Sequence, residues 1–223
     1  MRVLPKSVVV LAIAGIIGIL ILKLPHDLKS RLNDGPKTTA TIGQGEVPLS
    51  ILKTLKVATP HSRGYLRTKF GPAWADVDGN HCDTRDDVLA AHLTHITKRG
   101  ACIVLTGTLV DLYTDKTMAF RRGPGDDVQI DHVVSLGNAW ASGAWKWTPA
   151  QREAFANDPA NLQPVDLHNN EQKGDKSAAR WLPPAGVCKY ATIQVTIKAE
   201  RHLTITRPEH DALVRALHTC PKG

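Results

Sequence analysis

Residues 129–134 read QIDHVV and residues 161–175 read NLQPVDLHNNEQKGD. The first stretch is apolar and β-branched around an acid–imidazole pair, Asp131-His132, and predicts a short strand over 128–134. Neighbouring side chains on a strand point to opposite faces, so both reach one site only at a strand end or a bulge. The second stretch carries Asn161, then Asn170, then Lys173 one helical turn further on, which puts the last two on one face. Asp131 offers a hard anionic oxygen and Asn170 a neutral carbonyl oxygen. That pair suits Mg2+, or Mn2+, with water completing the shell. Zn2+ is suited less, because no histidine pair stands at the ligand positions. A histidine beside such a cation is what hydrolysis of a phosphodiester requires: a group to take a proton from water, and positive charge for the phosphate and the leaving oxygen. Lys173 is placed to hold a phosphate oxygen.

Working outward, the flanking sequence predicts a mixed set of elements. Thr84-x-x-Asp87 resembles a helix-starting box, and Leu89, Leu93 and Ile96 recur at helical spacing before Gly100, which predicts a helix over 84–99. Residues 101–113 (ACIVLTGTLVDLY) predict a strand, and a turn-rich stretch over 122–127 leads into 128–134. Thr148-Pro-Ala-Gln151 is a capping box with proline at the first helical position, and that helix ends near Asn157-Asp158-Pro159. Pro208 opens a last helix with Leu213, Leu217 and Cys220 on one face. Residues 190–199 fit both periods: Ile193, Val195 and Ile197 alternate, while Tyr190, Ile193 and Ile197 suit a helix face.

The beginning of the chain has another character. Residues 8–22 (VVVLAIAGIIGILIL) are unbrokenly apolar and follow Arg2 and Lys6, the pattern of an export signal. No small-x-small site follows Leu22, which favours an uncleaved signal-anchor over a cleaved peptide. Residues 1–24 are therefore read as signal peptide or anchor, 25–60 as a tether rich in Pro, Gly, Thr and Lys, and 61–223 as the domain. Export implies a membrane-anchored extracellular domain or a secreted one. The formal charge is +7, but residues 1–31 hold five basic residues against Asp27, so the domain itself is only mildly basic. Charge permits nucleic-acid binding without demanding it. Cys82, Cys102, Cys188 and Cys220 form an even set without a CxxC pair, which excludes the usual zinc spacing and favours disulfides. Of three possible pairings, Cys82–Cys102 and Cys188–Cys220 join neighbouring segments and are expected. Asp76, Asp78, Asn80 and Asp87 outline a calcium loop, but His81 stands where glycine is needed, and a disulfide-stapled loop is the better reading. The tryptophans could stack on bases, yet core packing is expected for most of them.

The ordered set IDHVV, NLQPV and NNEQKGDKSAARWLPP resembles the HNH, or ββα-metal, endonucleases related to the C-terminal nuclease domain of GmrSD-type restriction enzymes. YLRTKFGPAW (65–74), NHCDTRDDVL (80–89), an FRRG lead-in, AWASGAWKW (139–147), FANDPANL (155–162), WLPP and the terminal cysteine resemble exported actinobacterial-type members. The likeness spans about 65–220. It implies an α+β fold: a ββα-metal finger in a mostly helical, disulfide-stapled domain, with 189–200 helical. It also implies a metal-dependent endonuclease acting on nucleic acid, DNA ahead of RNA, with no protein partner. In that pattern His132 is the general base, Asp131 and Asn170 hold the metal, and Asn161 braces the loop that aims His132; His168 is the reserve ligand. Arg67 and Arg85 either clamp phosphate or pair with Asp76, Asp83 or Asp86. The rival readings are a non-catalytic nucleic-acid-binding protein at the cell surface and an envelope protein whose metal only stabilises it.

Overall fold

The structure, a computed structural model, describes residues 45–221. The apolar segment 8–22 and most of the expected tether lie outside the described residues. Among the described residues, no helix is long and apolar enough to cross a membrane.

The fold begins earlier than expected. Helix α1 (Glu46–Leu52) lies inside the span read as tether, yet it buries Leu52, and Leu55 follows it into the same core. Helix α2 (Thr84–His92) starts where predicted, but Asp83, not Thr84, is the cap, accepting from the Asp86 amide. It also stops far short of residue 99. Leu93 is extended, and 94–99 form strand β1 (Thr94–Arg99) against β2 (Ile103–Val110). The helical spacing of Leu89, Leu93 and Ile96 misled here because β-branched Thr94, Ile96 and Thr97 find a sheet partner. Gly100, at φ +67°, turns β1 into β2 rather than ending a helix. Strand β3 (Thr117–Arg121), which the sequence did not announce, completes an antiparallel sheet of order β1-β2-β3.

Strand β4 (Val128–His132) pairs antiparallel with β5 (Leu162–Asp166), from Val128 opposite Asp166 to His132 opposite Leu162, without a bulge. Between them lie α3 (Leu136–Ser142) and α4 (Pro149–Ala156), the latter capped by the predicted Thr148/Gln151 box. Helix α5 (Leu167–Lys173) follows β5 directly and packs on both strands. Residues 187–200 form α6 (Val187–Glu200), which resolves the ambiguous stretch as helix, and α7 (Arg207–Leu217) is capped by Thr206. The result is a mixed α/β fold. Both expected disulfides form, Cys82–Cys102 and Cys188–Cys220. Trp140 is buried, Trp147 and Trp181 are partly so, and Trp145 stays 40% exposed.

Three apolar clusters build the core, and β4 with the two residues that follow it belongs to all of them. Val128 packs with Leu89, Val104 and Phe120. Val133 packs with Tyr113, Tyr190 and Leu213. Val134 packs with Phe70, Trp140 and Phe155. The segment carrying Asp131 and His132 is thus clamped from three directions, the kind of rigid support a catalytic constellation needs.

A candidate active-site cleft

A cleft of about 480 Å3 opens beside β4, and Asp131, His132, Asn170, Arg67 and Arg85 all line it. The geometry that unites Asp131 and His132 is a strand end. β4 stops at His132, and the chain turns away as the Val133 amide donates to the Asn161 carbonyl at 2.8 Å. Asn161, fully buried, holds that turn with its side chain as well: Oδ1 accepts from the Val134 amide at 2.8 Å, and Nδ2 donates to the Val134 carbonyl at 3.0 Å. Three hydrogen bonds from one asparagine leave the loop behind His132 little freedom.

His132 is 6% exposed, and its Nε2 lies 2.8 Å from the Ala156 carbonyl. A carbonyl can only accept, so Nε2 carries the proton and Nδ1 keeps its lone pair. Burial lowers the imidazole pKa to about 4; the Ala156 carbonyl opposes that, while the charges of Arg67 and Lys173 add to it. The ring is therefore neutral at pH 7 and able to take a proton.

Asp131 is also buried, and burial raises its pKa against the pull of Lys173 and the Tyr113 hydroxyl. Lys173 Nζ sits 3.0 Å from Oδ1 and 2.9 Å from Oδ2, and it donates to the His132 carbonyl at 2.8 Å. Tyr113 donates its hydroxyl to Oδ2. This arrangement corrects the expectation for Lys173. Its side chain is 0% exposed and its ammonium is engaged by the Asp131 carboxylate and the His132 carbonyl, so it holds Asp131 in place instead of a substrate phosphate. Helical spacing correctly put Lys173 near the site but could not tell that α5 turns this face inward.

Asn170 is half-buried at the rim; its Nδ2 donates to Gln129 Oε1 at 2.8 Å, its backbone carbonyl accepts from the Gly174 amide, and its side-chain Oδ1 takes no hydrogen bond among the described residues. Asp131 and Asn170 therefore keep hard oxygen lone pairs on one cleft wall. This fits a divalent cation that retains most of its water, such as Mg2+, and does not fit a closed protein cage. Among the described residues no group of three or more His, Cys, Asp or Glu could hold a metal. His168, the reserve ligand, is exposed and pairs with Gln172.

Arg67 and Arg85 make no ion pair among the described residues, and the three acids expected as their partners are engaged elsewhere. Asp86 takes Arg122 and the Val104 amide, Asp83 caps α2, and Asp76 accepts from the Gly79 and His81 amides. Both arginines line the cleft, and the negative charges of Asp86, Asp126 and Asp83 act on Arg85. The sequence reading missed three other groups. Tyr113 read only as the end of a strand. Asp111, fully buried, accepts from the Asp166 amide and so ties the end of β2 to the start of α5. Asp175 lines the cleft and accepts from the Gly137 amide at 3.2 Å; a Cβ at residue 137 would lie 2.6 Å from that carboxyl carbon, so a side chain there would displace the carboxylate. Asp175 stands in the quoted stretch, but nothing local marks its direction.

A neutral buried imidazole, a carboxylate beside it and two arginines without an ion pair among the described residues thus line one cleft. The family description "GmrSD restriction endonucleases, C-terminal domain" matches residues 83–216, and the chain belongs to this family. A relative from the fungus Arthroderma benhamiae, named "Uncharacterized secreted protein", is 38% identical over 161 residues, covering 70% of this chain and 76% of that protein. No solved structure matches. The family places the chain among nuclease-type domains, and the residues lining the cleft lie within the matched region apart from Arg67 and Trp74.

Proposed function

We propose that this chain is an exported, metal-dependent endonuclease of the HNH (ββα-metal) type that hydrolyses phosphodiester bonds in nucleic acid, DNA ahead of RNA. The observation that carries the reading is His132: a neutral, oriented imidazole at a strand end, next to Asp131 and facing two unpaired arginines. The antiparallel β4–β5 pair followed by α5 is the frame we assign to the ββα finger. Export rests on the apolar leader and on the secreted relative.

His132 Nδ1 takes the proton of the attacking water, while the Ala156 carbonyl holds the ring and stabilises the imidazolium that forms. Asn161 keeps the loop behind the ring fixed. Asp131 and Asn170 would hold the cation, Mg2+ or Mn2+, which supplies positive charge at the phosphate and the departing oxygen. Lys173 and Tyr113 keep the Asp131 carboxylate oriented. Arg67 and Arg85 grip the non-bridging phosphate oxygens.

The test is cleavage of supercoiled plasmid by the full chain, oxidised, with Mg2+, Mn2+, Zn2+ or EDTA, beside His132→Ala. Cutting that needs metal and drops by about 10²-fold or more in the variant supports the reading. Undiminished cutting by His132→Ala removes His132 as the base. Binding without cutting under every metal, on plasmid, single strands and RNA, favours a non-catalytic nucleic-acid-binding protein.

A further inference from the structure

A second hollow, of about 700 Å3, adjoins the cleft. The two share Asp175, and the consecutive residues Leu136 and Gly137 line one each. On its wall Lys176 and Arg180 stand against Asp175, a formal excess of one positive charge. Both cations are exposed and make no ion pair among the described residues; the Lys176 ammonium donates to the Gln172 carbonyl. Asn138, on α3, lines the same hollow. It is only 9% exposed, and its Oδ1 is buried with no hydrogen-bond partner among the described residues. A buried acceptor without a donor is uncommon and costly, and this one borders a space large enough for a ligand. Tyr65 is half-buried on the wall. Burial raises its pKa, the charge of Asp175 adds to that and Arg67 opposes it, so the ring stands within reach of both hollows. Ala141 and Pro208 add apolar wall.

We infer that this hollow takes the base of a nucleotide next to the scissile phosphate, and that the preferred substrate is therefore a strand unpaired at that nucleotide. The inference rests on the nuclease reading and narrows its substrate class. The apolar wall and the Tyr65 ring suit the flat face of a base. The Asn138 amide offers an acceptor and two donors, the complement of a base's hydrogen-bonding edge. In a duplex that edge is taken by the partner base and the face by stacked neighbours, so a base reaches Asn138 only after leaving the helix. Lys176 and Arg180, exposed on the same wall, hold the backbone phosphate beyond the base, while Arg67 faces the scissile one in the adjoining cleft. The shared wall at Gly137 and Asp175 sets the step from one phosphate to the next.

The experiment uses the full chain, oxidised and carrying His132→Ala so that the oligonucleotide is spared. Fluorescence anisotropy in Mn2+ compares a short dye-labelled single strand, the same strand in duplex, and a strand of the same length built of abasic nucleotides. The single strand is expected to bind about tenfold or more tightly than either of the others. Asn138→Leu, similar in size but without the amide, weakens the single strand by about tenfold and leaves the abasic strand unchanged. Arg180→Gln, at an exposed position that does not threaten folding, weakens the single strand by about threefold and lowers the slope of log affinity against log salt by about 0.7. Urea unfolding checks that each variant is folded; should Asn138→Leu fail, Arg180→Gln and the abasic strand carry the test. Duplex or abasic strand bound as tightly as the single strand, or an Asn138→Leu loss equal on both strands, overturns the inference. Metal-dependent plasmid cutting by the parent chain leaves the nuclease reading standing in that case. A parent chain that neither binds nor cuts any nucleic acid overturns both.

Discussion

The two sheets of this protein are held by opposite means. The β1-β2-β3 sheet is largely open to solvent: β1 has no buried residue, and β3 has only Phe120. Its charged contact, Asp86 with Arg122, is partly exposed, and it is stapled by Cys82–Cys102. The β4–β5 pair is the reverse. β5 is buried along almost its whole length, and the charged contact beside it, Asp131 with Lys173, is fully enclosed. A covalent tie suffices where little apolar surface can be covered. A site that must hold an ionised carboxylate and a neutral imidazole in fixed directions needs burial and complete hydrogen bonding instead.

The sharpest way to break this contrast is to remove one partner of each ion pair. Lys173→Ala leaves Asp131 buried and uncompensated and is expected to cost about 3–5 kcal/mol in urea unfolding. Pairing it with Asp131→Leu should recover part of that loss, since an apolar pair avoids the desolvation penalty; no recovery would mean that Lys173 stabilises by something other than its charge. Next in size is the staple. Cys82→Ser with Cys102→Ser opens a loop of sequence separation 20, for a loss of about 3 kcal/mol, and the damage should appear as faster amide exchange in β1 and β2 and not in β4. Arg122→Ala, whose side chain is already 28% exposed, should cost about 1 kcal/mol or less. A loss as large as that of Lys173→Ala would erase the distinction between the two sheets.

Two smaller effects sharpen the site. His132 is held neutral, with a pKa of about 4, so the acid limb of kcat/KM should fall well below the 6.5 of an ordinary histidine. The neutral ring accepts a proton and the charged ring cannot, so activity is lost as pH falls through that value. A limb at 6.5 or above would indicate that the ring is not enclosed as described. Arg67→Ala and Arg85→Ala should each reduce the slope of log affinity against log salt by about 1. An unchanged slope would take the arginines out of phosphate contact.

Much of the site was legible because its chemistry is carried by residue types at short spacing. Asp131-His132 on a strand and Asn170 on the helix after it are local statements, and the structure brings them to one cleft. The Thr148/Gln151 capping box was equally legible, since the two satisfy each other within one turn, whereas Thr84 lost its expected cap role to Asp83 and the Thr206/Glu209 box went unread. The failures came where a long-range partner decided. Residues 94–99 look helical until β2 supplies hydrogen bonds. The span before residue 61 looks like linker until Leu52 and Leu55 find α6 and α7.

By itself the sequence determined the ordered motif, the strand that carries the acid and the imidazole, a favoured cysteine pairing and the start of the helix after Thr148, because each depends on neighbours a few residues apart or on covalent chemistry. Only the tertiary structure decided what those residues touch. Lys173 turned from a phosphate ligand into a buried counter-ion, and Arg67 and Arg85 were left without an ion pair among the described residues while Asp76, Asp83 and Asp86 found other partners. The charge of a site is a sum over groups that the chain brings together from far apart, so it is fixed by packing and not by spacing.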